Sequence, residues 1–152
     1  MSAEALSTVF DETILLFHRL RAAAEEVHGQ GPLSGGRRGV LRSLYRLGPQ
    51  TVPQMARARP VSRQHIQMLV NGLLEDGLVE LAENPAHKRS HLVGLTGKGR
   101  ALIEKMLARE AAVLAAVKIE IPERDLRRTA EVLRSLREFL GGTSWKRSLR
   151  RV

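Results

Sequence analysis

The sequence predicts a mainly α-helical protein with one small β-hairpin, its elements in the order α-α-α-α-β-β-α-α. Three observations predict it. Aromatic residues make up only 3% of the 152-residue chain against 43% hydrophobic, so a core has to be built from Leu, Val, Ile, Ala and Met, as in packed helices. Over most of the chain the apolar residues recur in steps of three and four, the period of one helix face. The exception is residues 78–95, where two short apolar runs flank a polar loop, the pattern of a hairpin.

Taken in order, Leu6, Phe10, Ile14, Phe17, Leu20, Ala24 and Val27 draw a stripe on a long first helix. Leu15 and Leu16 lie off that stripe, so this helix is expected to bury more than one side, in a second subunit or in its own core. Residues 29–36 are dense in helix breakers and form a connection. Val40, Leu41, Leu44 and Leu47 then mark a second helix, ended by Gly48 and Pro49. Thr51 is placed to cap a short third helix with Pro53 in its first turn and Met55 and Ala56 facing inward. After a break at residues 59–61, Ser62 is a fresh cap for a fourth helix. Ile66, Leu69, Val70, Leu73 and Leu74 form its inner stripe, and it ends near Gly77.

Strands at residues 78–81 and 91–95 flank the loop 83–90, which carries Lys88 and Arg89 at its tip. Beyond Thr96 a fifth helix carries Leu102, Ile103, Met106, Leu107, Val113, Leu114 and Val117. Pro122 opens a sixth, antiparallel to it, with Leu126, Ala130, Leu133, Leu136 and Leu140. Gly141 and Gly142 close that helix, and residues 141–152 follow as a basic tail with Lys146, Arg147, Arg150 and Arg151 around Trp145.

Charge narrows the function classes. The chain holds 25 Lys and Arg against 16 Asp and Glu, a formal net charge of +9, which attracts a polyanion. Residues 36–100 hold 11 basic and 4 acidic side chains, whereas residues 1–35 hold 2 basic and 5 acidic, so the charge is concentrated rather than spread for solubility. With no cysteine, thiol chemistry, disulfides and thiolate zinc sites are excluded. No apolar run approaches the roughly 18 residues of a membrane span, and Glu4, Asp11 and Glu12 are unlike a signal peptide, so a cytoplasmic protein without a membrane partner is expected. Of the five histidines, His18, His28, His65, His87 and His91, no pair has helical ligand spacing beside an acidic cluster, and no metal or cofactor is expected. Gly97–Gly99 lacks the rest of a phosphate loop, and the paired acids Glu25–Glu26 and Glu75–Asp76 read as solvated helix faces, so the protein is not expected to be an enzyme.

A helix, a tight turn, a helix and then a strand pair with a basic loop is the order of a winged helix-turn-helix, whose second short helix enters the major groove of duplex DNA. The inner stripe of the fourth helix leaves Ser62, Arg63, Gln64, His65, Gln67 and Asn71 on its outer and leading surfaces. Arg suits guanine there, Gln and Asn suit adenine. In the loop, His87, Lys88 and Arg89 sit at a narrow tip able to reach phosphates or a minor groove. A solvated helix face and a soluble charged turn are the bland alternatives, and their succession along the chain favours DNA.

Through residues 61–64 opening the fourth helix, 74–79 closing it, the loop from Asn84–Pro85 to Ser90 and the run Leu95–Gly99, the chain resembles the MarR family. The resemblance implies an intertwined homodimer that sets two recognition helices on an inverted-repeat operator, usually as a repressor released by a small aromatic or anionic ligand. It implies a division into a dimerisation helix and linker over residues 1–35, the DNA-binding region 36–100, C-terminal dimerisation helices 101–140 and the basic tail. It also gives Arg89 the place of the family's wing arginine. Two positions depart from the pattern: His87 stands where the family often has an acidic brace for the wing, and Met68 where it often has an arginine. A regulator without a ligand, or an architectural DNA binder, is the competing reading, and a helical enzyme or interaction module with an incidental basic face is the third.

Overall fold

A computed structural model describes residues 2–29 and 33–150. The elements are α1 (Ala3–His28), α2 (Gly35–Leu47), α3 (Val52–Ala58), α4 (Arg63–Glu75), β1 (Val79–Ala82), β2 (Leu92–Leu95), α5 (Gly97–Ala116), α6 (Glu123–Gly141) and α7 (Thr143–Leu149). The chain forms two compact units, residues 1–115 and 116–152.

In the first unit each short helix starts where a side-chain oxygen can satisfy a free backbone N–H. The Ser34 hydroxyl accepts from Arg37 N and the Ser62 hydroxyl from His65 N. Thr51 and Gln54 exchange both bonds of a capping box, with Pro53 in the first turn. Helix α4 stops at Gly77, whose φ of 67° is left-handed and therefore favours a residue without a β-carbon.

The apolar stripes meet in one core. Val40, Leu41 and Leu44 of α2, Met55 of α3, Ile66, Val70 and Leu73 of α4, Val79 and Val93 of the hairpin and Ile103 of α5 are all buried. Strand β1 pairs antiparallel with β2 from Val79 opposite Leu95 to Ala82 opposite Leu92. A third backbone segment joins them: Gln50 and Val93 exchange N–H···O bonds of 3.1 and 2.8 Å. The bend between α2 and α3 is thereby tied to the hairpin, a pairing that no periodicity in residues 48–51 announced.

The expected stripes of α1 and α6, and the later part of that of α5, are left exposed in the single chain. On α1, Ile14, Leu15, Leu16, Phe17 and Leu20 are all more than half exposed, and no residue of that helix is buried. Helix α5 is buried only toward its start, at Gly99, Ile103 and Met106, while Val113 and Leu114 lie exposed. In the second unit α6 likewise buries no residue.

The tail differs from its expected form, because residues 143–149 make the helix α7. The Gly142 backbone is extended and interrupts the helix, while Trp145 packs edge-on against Phe139 with ring centroids 6.1 Å apart. That aromatic contact anchors the turn of helix that follows the glycines. Arg151 of the expected basic cluster lies outside the described residues, as do residues 30–32 of the expected connection.

The start of α5 tests the packing. A β-carbon at Gly99 would lie 1.9 Å from the Leu78 carbonyl oxygen, whereas one at Gly97 would meet nothing within 4 Å. Gly99→Ala should therefore cost about 1–3 kcal/mol by forcing backbone apart, and Gly97→Ala should be neutral or slightly stabilising. Urea unfolding of the two variants checks this.

Candidate nucleic-acid interface

One face of the first unit gathers the polar residues expected on the fourth helix and the wing. Because Ile66, Leu69, Val70 and Leu73 point inward, Arg63, Gln64, His65, Gln67 and Asn71 are exposed. Arg63, Gln64 and Gln67 line a groove of about 400 Å³ whose opposite wall is Arg89 and His91 of the wing and whose floor includes Pro53. A second, shallower groove of about 520 Å³ continues along α4, lined by Gln64, Gln67, Met68 and Asn71, with Arg37 reaching it from α2. The Gln67 side-chain amide donates to the Asn71 Oδ1 at 2.8 Å, which braces the two amides along one helix face.

The expected residues do not all share that groove. The Ser62 hydroxyl is occupied with its cap bond to His65 N. His65, His87 and Lys88 are exposed but line neither groove. In the wing, Ala86 N donates to the Asn84 side chain, His87 N to the Asn84 carbonyl and Ser90 N to the His87 carbonyl. Two successive turns thus hold His87, Lys88 and Arg89 at the tip.

Much of the local positive charge is engaged inside the protein. Arg37 pairs with Asp76 at 2.8 Å and Arg38 with Glu25 at 2.6 Å. Arg42 pairs with Glu110. Arg59 donates to the Gly39 carbonyl, and its burial lowers the guanidinium pKa from its usual value. Lys98 donates to the Asp76 carbonyl, and Arg100 lies over the Tyr45 ring at 5.5 Å. Among the described residues, Arg63, Lys88 and Arg89 are exposed and make no ion pair. Three of the exposed cations without an ion pair thus lie at α4's leading end and the wing tip, beside the groove, where a polyanion would gain from them.

Behind this face, sequence reasoning missed a polar cluster. The half-buried His28 Nε2 lies 2.8 Å from Glu110 Oε1, and since a carboxylate only accepts, Nε2 carries the hydrogen. Arg42 of α2 binds the same carboxylate. Burial pushes the Glu110 carboxyl up, but the hydrogen bonds and charges of His28 and Arg42 outweigh it and hold the group below its usual value. Beside the cluster, His28, Leu33, Arg38, Leu102, Lys105 and Arg109 line a cleft of about 240 Å³. Residues 28 and 42 sit on the consecutive helices α1 and α2 and residue 110 far along the chain on α5, and only the fold brings them together.

Helix, turn, helix and basic wing in this arrangement make a winged helix-turn-helix. Residues 33–90 match the sequence profile of the MarR family. A crystal structure of a MarR family transcription regulator, 28% identical, aligns over 97% of this chain and 94% of its own with a TM-score of 0.75. BpsR of Bordetella bronchiseptica, whose DNA binding is regulated by 6-hydroxynicotinic acid, aligns over 86% of this chain and 93% of its own at 20% identity with a TM-score of 0.73, and shares the fold. An uncharacterized protein of Mycobacterium tuberculosis is 34% identical over 114 residues, 75% of this chain and 76% of its own. The chain belongs to the MarR family, a family of transcription regulators.

A depressed acid contributes stability that is present above its unfolded pKa and lost as pH falls through its folded one. Glu110→Gln should thus melt below the parent at neutral pH, and the gap should close as pH drops below the ordinary value of 4.5. Thermal melts at stepped pH check this, and a gap independent of pH would assign the effect to packing.

Proposed function

We propose that this protein is a cytoplasmic, homodimeric regulator that binds an inverted-repeat operator in duplex DNA and acts as a repressor released by a small anionic aromatic ligand. The observation that carries the DNA reading is the groove shared by Arg63, Gln64, Gln67 and Arg89. Base-reading side chains on a helix and an unpaired arginine on a hairpin face one concavity. Helix α4 takes the major groove, with Arg63 on guanine and Gln64, Gln67 and Asn71 on adenine. Arg89 enters the adjoining minor groove, where a weakly hydrated guanidinium suits the negative potential of narrow A·T-rich sequence. His65, His87 and Lys88 contribute to phosphate attraction beside them, and Ser62 sets the helix N-terminus.

Dimerisation is supported by the exposed apolar side chains of α1 and α6, which a second copy would cover. In this reading residues 1–35 and 101–140 form the dimer bundle, and residues 36–100 hold the DNA. The ligand site is the cleft beside His28. Its apolar walls at Leu33 and Leu102 and its cations Arg38, Lys105 and Arg109 suit a flat carboxylate. The ligand that regulates BpsR is of that chemical class.

Light scattering at micromolar concentration should give the dimer mass, and protection of DNA should fall on half-sites about one helical turn, roughly 10 base pairs, apart. On a duplex selected from random sequence, Arg63→Ala should cost about 1–3 kcal/mol and blur selectivity at one position. Lys88→Ala should weaken selected and scrambled duplexes alike and reduce the salt slope by about one unit. Equal losses from Arg63→Ala on both duplexes would remove it from the base-reading set.

A further inference from the structure

On the face that α4 presents outward, Met68 is 61% exposed. Its neighbours along the groove are Gln64, Gln67, Asn71 and Arg37. The core asks nothing of this position, because Ile66, Leu69, Val70 and Leu73 already fill the inward side of the helix. A single exposed apolar residue is ordinary on a protein surface, but this one occupies the middle of the polar surface proposed to meet base edges.

The chemistry of that surface limits what Met68 can recognise. A thioether has no hydrogen to donate and is a weak acceptor. It therefore has little to offer guanine, cytosine or adenine, whose major-groove edges are made of donors and acceptors. Thymine alone carries an apolar group there, its C5-methyl. The flanking amides point to the same base pairs. Gln67 uses one N–H on Asn71 and keeps its carbonyl and its second N–H, an acceptor and a donor that match N6 and N7 of adenine. An arginine at residue 68 would read guanine; methionine removes that option and leaves Arg63, at the helix start, as the guanine reader on α4.

We infer that Met68 is a specificity-determining residue that reads thymine by packing its thioether on the C5-methyl, within an A·T-containing centre of each half-site. The inference rests on the proposed binding of α4 in the major groove. Polarizability and three rotatable bonds let methionine follow a methyl group without a fixed rotamer.

The experiment uses the full-length protein and the duplex it selects from random sequence. Each thymine of one half-site is replaced in turn by deoxyuridine, which deletes the methyl and keeps the pairing. Affinity is read by fluorescence anisotropy at constant salt. One position should lose about fourfold, the factor set by burying one methyl-sized group, and the others should change little. Met68→Ala should weaken the unsubstituted duplex by a similar or larger factor and be indifferent to uracil at that position. Met68→Leu should keep the sensitivity. Met68→Arg should move the preferred base there toward guanine. Unaltered thermal melting of each variant separates reading from folding. Uracil sensitivity that survives in Met68→Ala, or no sensitive thymine in the parent, overturns the assignment while leaving DNA binding intact. Failure of the parent to prefer any duplex overturns the DNA-binding reading and this assignment with it.

Discussion

Three consecutive residues at the end of α4, Asp76, Gly77 and Leu78, hold the recognition helix, the wing and α5 in one relation. The Asp76 carboxylate takes Arg37 of α2, and its carbonyl takes Lys98 Nζ at 2.8 Å. The Gly77 carbonyl accepts from the Thr96 hydroxyl at 2.7 Å, and the Leu78 carbonyl from Thr96 N at 3.2 Å. Thr96 then accepts from Gly99 N, so one side chain both caps α5 and binds the turn after α4. Each bond contributes about 1 kcal/mol net, yet their shared location matters more than their sum. Residues 74–79 and 95–99, two of the segments that carry the family resemblance, are here the two halves of a single junction.

With that junction set, the outward face of α4 follows from helix period alone. Four large apolar residues spaced to point inward leave no freedom to rotate the helix, since turning it by one residue would expose side chains whose burial contributes about 1.5–3 kcal/mol each. The same economy of positions governs charge. Arginines on α2 sit within reach of carboxylates on α1, α4 and α5, and a buried or half-buried guanidinium is costly unless paired. Those cations are therefore structural, and the field that meets a polyanion comes from fewer residues than the formal charge implies.

The elements of the first unit were legible because their signals are local. Caps at Thr51 and Ser62, the breaks at Gly48 and Gly77, and the stripe of α4 each depend on residues within a turn of one another, and each stands where expected. The Gln50–Val93 bridge and the His28–Arg42–Glu110 cluster were not legible, since both join residues more than 40 positions apart and neither residue type is rare. The helix over residues 143–149 was obscured by the two glycines before it, which end α6 but do not prevent a new helix once Trp145 has Phe139 to pack on. Of the candidate interface, the residues on α4 could be placed from periodicity. Which of them share a groove with Arg89 depended on how the hairpin folds back, a tertiary matter.

Helix α2 stands between the groove beside Arg63 and the cleft beside His28, and its arginines fasten it to both sides. Arg37 points to the end of α4 and binds Asp76, over a glycine at 72 where a β-carbon would lie 1.7 Å from the guanidinium. The next residue, Arg38, turns the other way: it pairs with Glu25 of α1, donates to the Leu33 carbonyl and lines the cleft beside His28. One turn on, Arg42 binds Glu110 of α5. Adjacent residues of one rigid helix are thus fastened to opposite structures, so a ligand whose carboxylate competed with Glu25 for Arg38, as in the proposed function, would act on the same backbone that positions Arg37. A displacement of α2 by even a fraction of its 1.5 Å rise per residue would be passed to the last turn of α4, because packed helices shift as bodies rather than deform. Were a ligand to favour one position of α2 over another, the coupling between cleft and groove could not exceed the difference in its affinity for the two.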